Sequence, residues 1–232
     1  SAAPPRSPQP AEEVTFTTAD AIRLSADYYA PPTAARPAPV AVLLHDAAAD
    51  RTTLTPLAQR LQSDGWAVLA PDLRGHGRSA TSGTADRASD RDESLFAAMN
   101  SDLRAAYDWL AERDEVDRAR FALVGIAAGG AVALHYAVDD RSVDAIVCVS
   151  PTLTAVGLDA KADLRSMTGR RVLLLTTDAD RADAEVRQPM MTGTDVRALP
   201  GESRGAALLT DRPAGAEHIA RFLTEAVGRR TT

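Results

Sequence analysis

The residues of this chain that say most about chemistry lie in the run Phe121-Ala122-Leu123-Val124-Gly125-Ile126-Ala127-Ala128-Gly129-Gly130. A short apolar strand meets a tight, glycine-flanked turn, and a helix follows. This is the context of the G-x-S-x-G nucleophile elbow, where small neighbours permit a strained turn that pushes its middle side chain into a cleft. The middle residue here is Ala127, which has no hydroxyl. Gly125, Gly129 and Gly130 could also suggest a phosphate or dinucleotide loop, but they lack the G-x-G-x-x-G order and a placed acidic partner. The elbow accounts for them better.

Such a turn needs a sheet to carry it, and the sequence supplies one. Residues 14–18 and 22–29 read as an antiparallel hairpin. Apolar runs at 40–44, 66–70, 121–124, 143–149, 172–175 and 196–199 read as strands. Helical patterns cover 54–62, 99–112, 129–137 and 214–227, with Leu103, Ala106, Trp109 and Leu110 marking one apolar face. Short, wholly apolar strands between amphipathic helices imply a mostly parallel sheet covered on both faces, with ligands at the carboxyl ends of the strands. The stretch between residues 149 and 172 is too short for a large lid. The expected organisation is a Pro/Ala-rich arm over 1–12 and a single α/β domain over 13–228.

Several segments in this order resemble an α/β-hydrolase of the compact, lidless dienelactone-hydrolase or small-esterase kind, a type found among exported bacterial lipoproteins. They are Val42-Leu43-Leu44-His45, the run from Ala70-Pro71-Asp72 to Arg74-Gly75-His76-Gly77-Arg78-Ser79, and Asp102 through Leu110. Val149-Ser150-Pro151 and Ile219 through Leu223 complete the set. The resemblance implies a triad whose positions transfer one by one. The nucleophile falls on Ala127. The acid falls on Asp180, with Asp178 as the alternative. The histidine of a Pro-Gly-x-x-His-Gly stretch falls on Arg204, in Pro200-Gly201-Glu202-Ser203-Arg204-Gly205. The oxyanion region falls on Asp46, Ala47 and Ala128. His45-Asp46 stands where His-Gly is usual and brings a carboxylate to the place where negative charge must develop.

Serine hydrolysis needs a hydroxyl, a base to take its proton and amide donors aimed at the oxyanion. Alanine offers no oxygen, and arginine keeps its proton up to a pKa above about 12. The triad positions Ala127, Asp180 and Arg204 therefore read as vestigial, with no catalytic residue expected. An Arg204–Asp180 ion pair is expected in place of the acid–histidine contact. His45 and His76 read as structural, His76 as a hydrogen-bonded surface residue. His135 should point away from the cleft, and His218 opens the last helix beyond the base loop. No His/Cys cluster has metal-ligand spacing. Asp46, Asp178 and Asp180 would hold a cation only if they converged, so neither metal nor cofactor is expected. Tyr28, Tyr29, Trp66, Trp109 and Phe222 read as core.

Composition narrows the rest. The 232 residues are 45% hydrophobic with a formal net charge of −6, which suits one domain and no nucleic-acid partner. Cys148, the one cysteine, sits in an apolar run and reads as a core thiol. No apolar run is long enough to span a membrane. The opening Ser1-Ala2-Ala3-Pro4-Pro5 segment reads as a spacer left after removal of an export signal or a lipid anchor, with an artificially chosen start as the alternative. An arm of this composition is ordered where a surface holds it, so a protein partner contacting it is expected. The sequence thus favours an exported, non-catalytic binding protein, as a structural or accessory subunit. Two alternatives stay open: an esterase-type enzyme with an unrecognised nucleophile or an engineered change at Ala127, and a small-molecule receptor using the old cleft.

Overall fold

The computed structural model describes residues 9–152, 154–178, 194–211 and 213–228. Of the arm expected over 1–12, residues 1–8 lie outside that set, and Glu12 already opens the first strand. Two strands, β1 (Glu12–Thr17) and β2 (Arg23–Tyr29), form the N-terminal antiparallel hairpin. The six parallel strands are β3 (Ala38–Leu44), β4 (Ala67–Pro71), β5 (Val116–Ile126), β6 (Val143–Val149), β9 (Arg171–Thr177) and β10 (Thr194–Leu199). They give an eight-stranded sheet in the order β1-β2-β4-β3-β5-β6-β9-β10. A separate hairpin, β7 (Thr154–Ala155) with β8 (Leu158–Asp159), stands between β6 and β9. This is an α/β-hydrolase fold.

The buried stretches of the central strands are apolar because they feed two cores. Val40, Val42 and Leu44 of β3 and Leu123 of β5 face one side, against Leu103 and Leu110 of α4 (Asn100–Ala111) and Val132 of α5 (Ala128–Asp139). The alternate residues Ala41, Leu43, Val124 and Ile126 face the other side. There they meet Leu57 and Leu61 of α1 (Thr55–Ser63) and Ile219, Phe222 and Leu223 of α7 (Pro213–Val227). Each Val, Leu, Ile or Phe so covered contributes about 1.5–3 kcal/mol, which fixes the register of the central strands.

Three features depart from the sequence expectation. β5 begins at Val116, five residues early, because its charged start is only loosely joined to β3 through the pair Ala38–Val116. Two short helices, α2 (Ser82–Ser89) and α3 (Glu93–Ala97), follow β4. Polar capping sets them rather than an apolar stripe: Thr81 and Thr84 close a capping box, and Asp92 accepts from the amides of Ser94 and Leu95. The segment after β6 holds the β7–β8 hairpin and α6 (Ala160–Ser166), capped by Asp159. It is no large lid.

Buried ion pairs hold the loops at the carboxyl ends. Arg51 donates to Asp27 at 2.9 Å and pairs with Asp72, while Asp72 also accepts the amides of Arg51 at 2.9 Å and Arg78 at 2.8 Å. Arg74 reaches Asp102 at 2.8 Å and Asp20 at 2.7 Å. Removing one partner of such a pair strands a buried charge, at a cost of about 3–5 kcal/mol.

Close approach at the elbow is the tightest constraint. A Cβ on Gly125 would overlap the Gly129 carbonyl and the Gly130 amide nitrogen. Gly125→Ala is expected to lower stability by about 3 kcal/mol or more. Gly83, in α2 with nothing within 4 Å of a built Cβ, provides the control. Gly83→Ala should be neutral or stabilising by up to about 1 kcal/mol. Urea titrations of both variants check this, and equal effects would contradict it.

Candidate active site

Ala127 forms the apex between β5 and α5, with φ 46° and ψ −109°. A non-glycine residue held there stores about 1–3 kcal/mol of backbone strain. Its amide donates to the Val149 carbonyl at 2.8 Å, and its carbonyl accepts from Gly130 at 3.0 Å, which together lock the turn. A Cβ on Gly129 would lie 2.5 Å from the His45 carbonyl oxygen, so the start of α5 also lies directly against the end of β3. The elbow is thus fully formed and carries a methyl group at its apex.

Asp46, one residue beyond His45, sits beside it. Its Oδ1 accepts the Ala47 amide at 2.7 Å and the Ala128 amide at 3.3 Å. They are the two amides that the sequence expectation assigned to the oxyanion region. Here one carboxylate oxygen takes both. The contact also serves α5, whose N-cap residue Ala127 supplies no capping side chain.

Arg204, at the position expected for the base, lies on the loop after β10. Ser203 accepts from Thr177 Oγ1 at 3.2 Å through its carbonyl, and the Gly205 amide donates to Ser150 Oγ at 2.8 Å. These two bonds fasten the loop to the ends of β9 and β6 on either side of Arg204, which is exposed. Asp178 is half-buried just past β9. Asp180, and with it the expected Arg204–Asp180 pair, lies outside the described residues.

The four histidines all have other duties. His45 Nε2 accepts the Leu73 amide at 3.1 Å, which assigns the ring proton to Nδ1, and Nδ1 donates to the Asp46 carbonyl at 2.8 Å. Burial holds this ring down to about 4 from an ordinary 6.5, so it is neutral at pH 7. The expectation of a surface position for His76 is corrected. The ring is buried between the Arg74 and Ala47 carbonyl oxygens, each 3.0 Å away, because Gly75 and Gly77 fold the loop over it. His135 meets Asp163 of α6 at 3.1 Å, away from the elbow, and His218 meets Arg221 at 2.7 Å. Among the described residues, none is hydrogen-bonded to a serine, threonine or cysteine side chain. Cys148 is buried under α5, and burial pushes its thiol up to about 12. Among the described residues no group of three or more metal-ligating side chains converges, and no helix is long and apolar enough to cross a membrane.

The model of the serine aminopeptidase, S33 family matches residues 35–191. The chain belongs to this family. An uncharacterised protein of Mycobacterium tuberculosis, found in two strains, is 35% identical over 147 residues, or 62% of this chain. The chain matches about half the length of that relative, 48%. Solved structures share the S33 chain's fold at low identity. DcsB in complex with its substrate analogue has a TM-score of 0.76 at 16% identity, covering 94% of this chain and 99% of its own. The dienelactone hydrolase of Anabaena variabilis gives 0.71 at 18%, covering 95% and 97%. The esterase Pf2001 of Pyrococcus furiosus gives 0.70 at 17%, covering 94% and 93%. The S33 chain therefore has the α/β-hydrolase fold, which it shares with an esterase and a dienelactone hydrolase.

His45 makes a pH test possible. The unfolded chain protonates this ring near 6.5 while the folded chain resists to about 4, so its contribution is complete above 6.5 and declines as pH falls toward 4. The loss reaches about 3 kcal/mol. His45→Gln should flatten that part of the stability–pH curve in denaturant titrations; an unchanged slope would contradict the assignment.

Proposed function

We propose that this S33-family chain is a non-catalytic member that works by binding, as a structural or accessory subunit of a protein complex in an exported compartment. Ala127 carries the reading: the elbow keeps its strained geometry and presents a methyl group where the attacking oxygen would be. Two further features support it. Arg204 cannot take a proton at neutral pH, and the Asp46 carboxylate occupies the donors a tetrahedral intermediate would need. Loss of a working triad costs about 10⁶ in rate, close to 8 kcal/mol of barrier. Backbone donors alone sustain about 10³–10⁴ over water elsewhere, and here those donors are engaged.

Family membership favours a second reading, a hydrolase with a different nucleophile. Ser150, just past β6, is the hydroxyl such an enzyme would call on, yet its Oγ accepts the Gly205 amide and, among the described residues, no histidine is bonded to it.

Hydrolysis of p-nitrophenyl acetate separates the two. Wild type should match the buffer blank, and so should Ala127→Ser alone. The triple variant Ala127→Ser/Arg204→His/Asp46→Gly should show saturable turnover. Saturable hydrolysis by wild type that Ser150→Ala abolishes would establish the second reading. Native mass spectrometry of material from the source cell tests the binding role, and a chain that is always free and monomeric would contradict it.

A further inference from the structure

We infer that His76 is a proton-controlled latch: its imidazolium ties the loop after β4 to the loop after β3, and loss of one proton releases the tie. The ring lies between two acceptors. Nδ1 is 3.0 Å from the Arg74 carbonyl oxygen, and Nε2 is 3.0 Å from the Ala47 carbonyl oxygen. A carbonyl only accepts, so each contact needs a proton on the nitrogen. The imidazolium carries both, whereas a neutral ring carries one and turns a bare lone pair toward the other oxygen. His45 makes the contrast, because its Nε2 faces a donor, the Leu73 amide at 3.1 Å. Its neutral ring satisfies both of its contacts, and a neutral His76 cannot.

The two bonds are unequal. Arg74 is two residues away in the same loop, so that contact is local. Ala47 lies 29 residues before His76, and its bond bears the cost of ordering two separate loops. The neutral ring therefore keeps its proton on Nδ1 and gives up Ala47. Both loops wall an open cavity of about 490 Å³, so the proton also sets how far that cavity opens. The charged surroundings are few. His45, at the end of β3 with its ring centre 4.9 Å away, is neutral at pH 7. Asp50 beyond it and Arg91 between α2 and α3 line the same cavity. Asp72 and Arg74, in the loop of His76 itself, are held in ion pairs. Ala88 of α2 and Phe96 of α3 bring no charge.

Ring ¹⁵N shifts and amide-exchange protection factors, followed together from about pH 5 to about 9, test the latch, since histidine ordinarily changes charge in that range. At the acid end both nitrogens of His76 should be protonated, and at the alkaline end only Nδ1. Protection of the Ala47 and Ala49 amides, the second bonded to the Asp46 carbonyl at 3.0 Å, should fall at least about tenfold across the same transition, the worth of one hydrogen bond from a charged donor. His45 is held down to about 4, so its own transition stands apart. His76→Gln should show the lower protection throughout, with no transition; if it fails to fold, the wild-type titrations decide alone. A ring whose charge does not change over this range would overturn the inference, as would a neutral ring protonated on Nε2. So would a titrating ring with protection unchanged, or a folded glutamine variant that keeps the wild-type transition. The latch does not rest on the non-catalytic reading, and ester turnover by wild type would leave both titrations as stated.

Discussion

The architecture turns on the approach of α5 to the ends of β5 and β3. Gly125 and Gly129 let helix backbone touch strand backbone, and the connecting residue is forced to a positive φ as a result. The strain at Ala127 is held by packing and by the bonds to Val149 and Gly130, all of them backbone contacts. None of this depends on which side chain occupies the apex. A chain can therefore exchange the reactive residue for alanine and keep the turn, the helix and the sheet order. Fold and chemistry are separable here because different atoms carry them.

The same separation explains the loops. Asp72, Arg51 and Arg74 hold the segment after β4 through buried ion pairs with the N-terminal hairpin and α4. That segment buries His76, which in turn holds Ala47. A line of structural contacts thus runs from the hairpin to the pocket beside Ala127. Asp46 completes it by satisfying the first amide of α5. The Ala47 and Ala128 amides thereby both contribute to holding the folded chain together.

Much of this was legible in residue order. The apolar run over 143–149 became β6 with the same limits, and the glycine pattern around Ala127 placed the elbow because only small residues fit there. Polar segments were harder. α2 buries little beyond Ala88, so no apolar period announces it, and α3 is too short to show one. His76 was misplaced at the surface because its glycine neighbours give no sign of burial. At the site, the sequence showed that a carboxylate follows His45. That a single oxygen takes both amides required geometry, since it depends on where the β3 loop meets the first turn of α5.

The central claim is that the cleft retains its architecture without an attacking group. Intact-protein mass spectrometry after treatment with a fluorophosphonate measures this directly, because a competent serine nucleophile is captured covalently with a defined mass gain. The account predicts an unchanged mass for the folded wild-type chain. A stoichiometric adduct that maps to a residue at the carboxyl end of the sheet would contradict it.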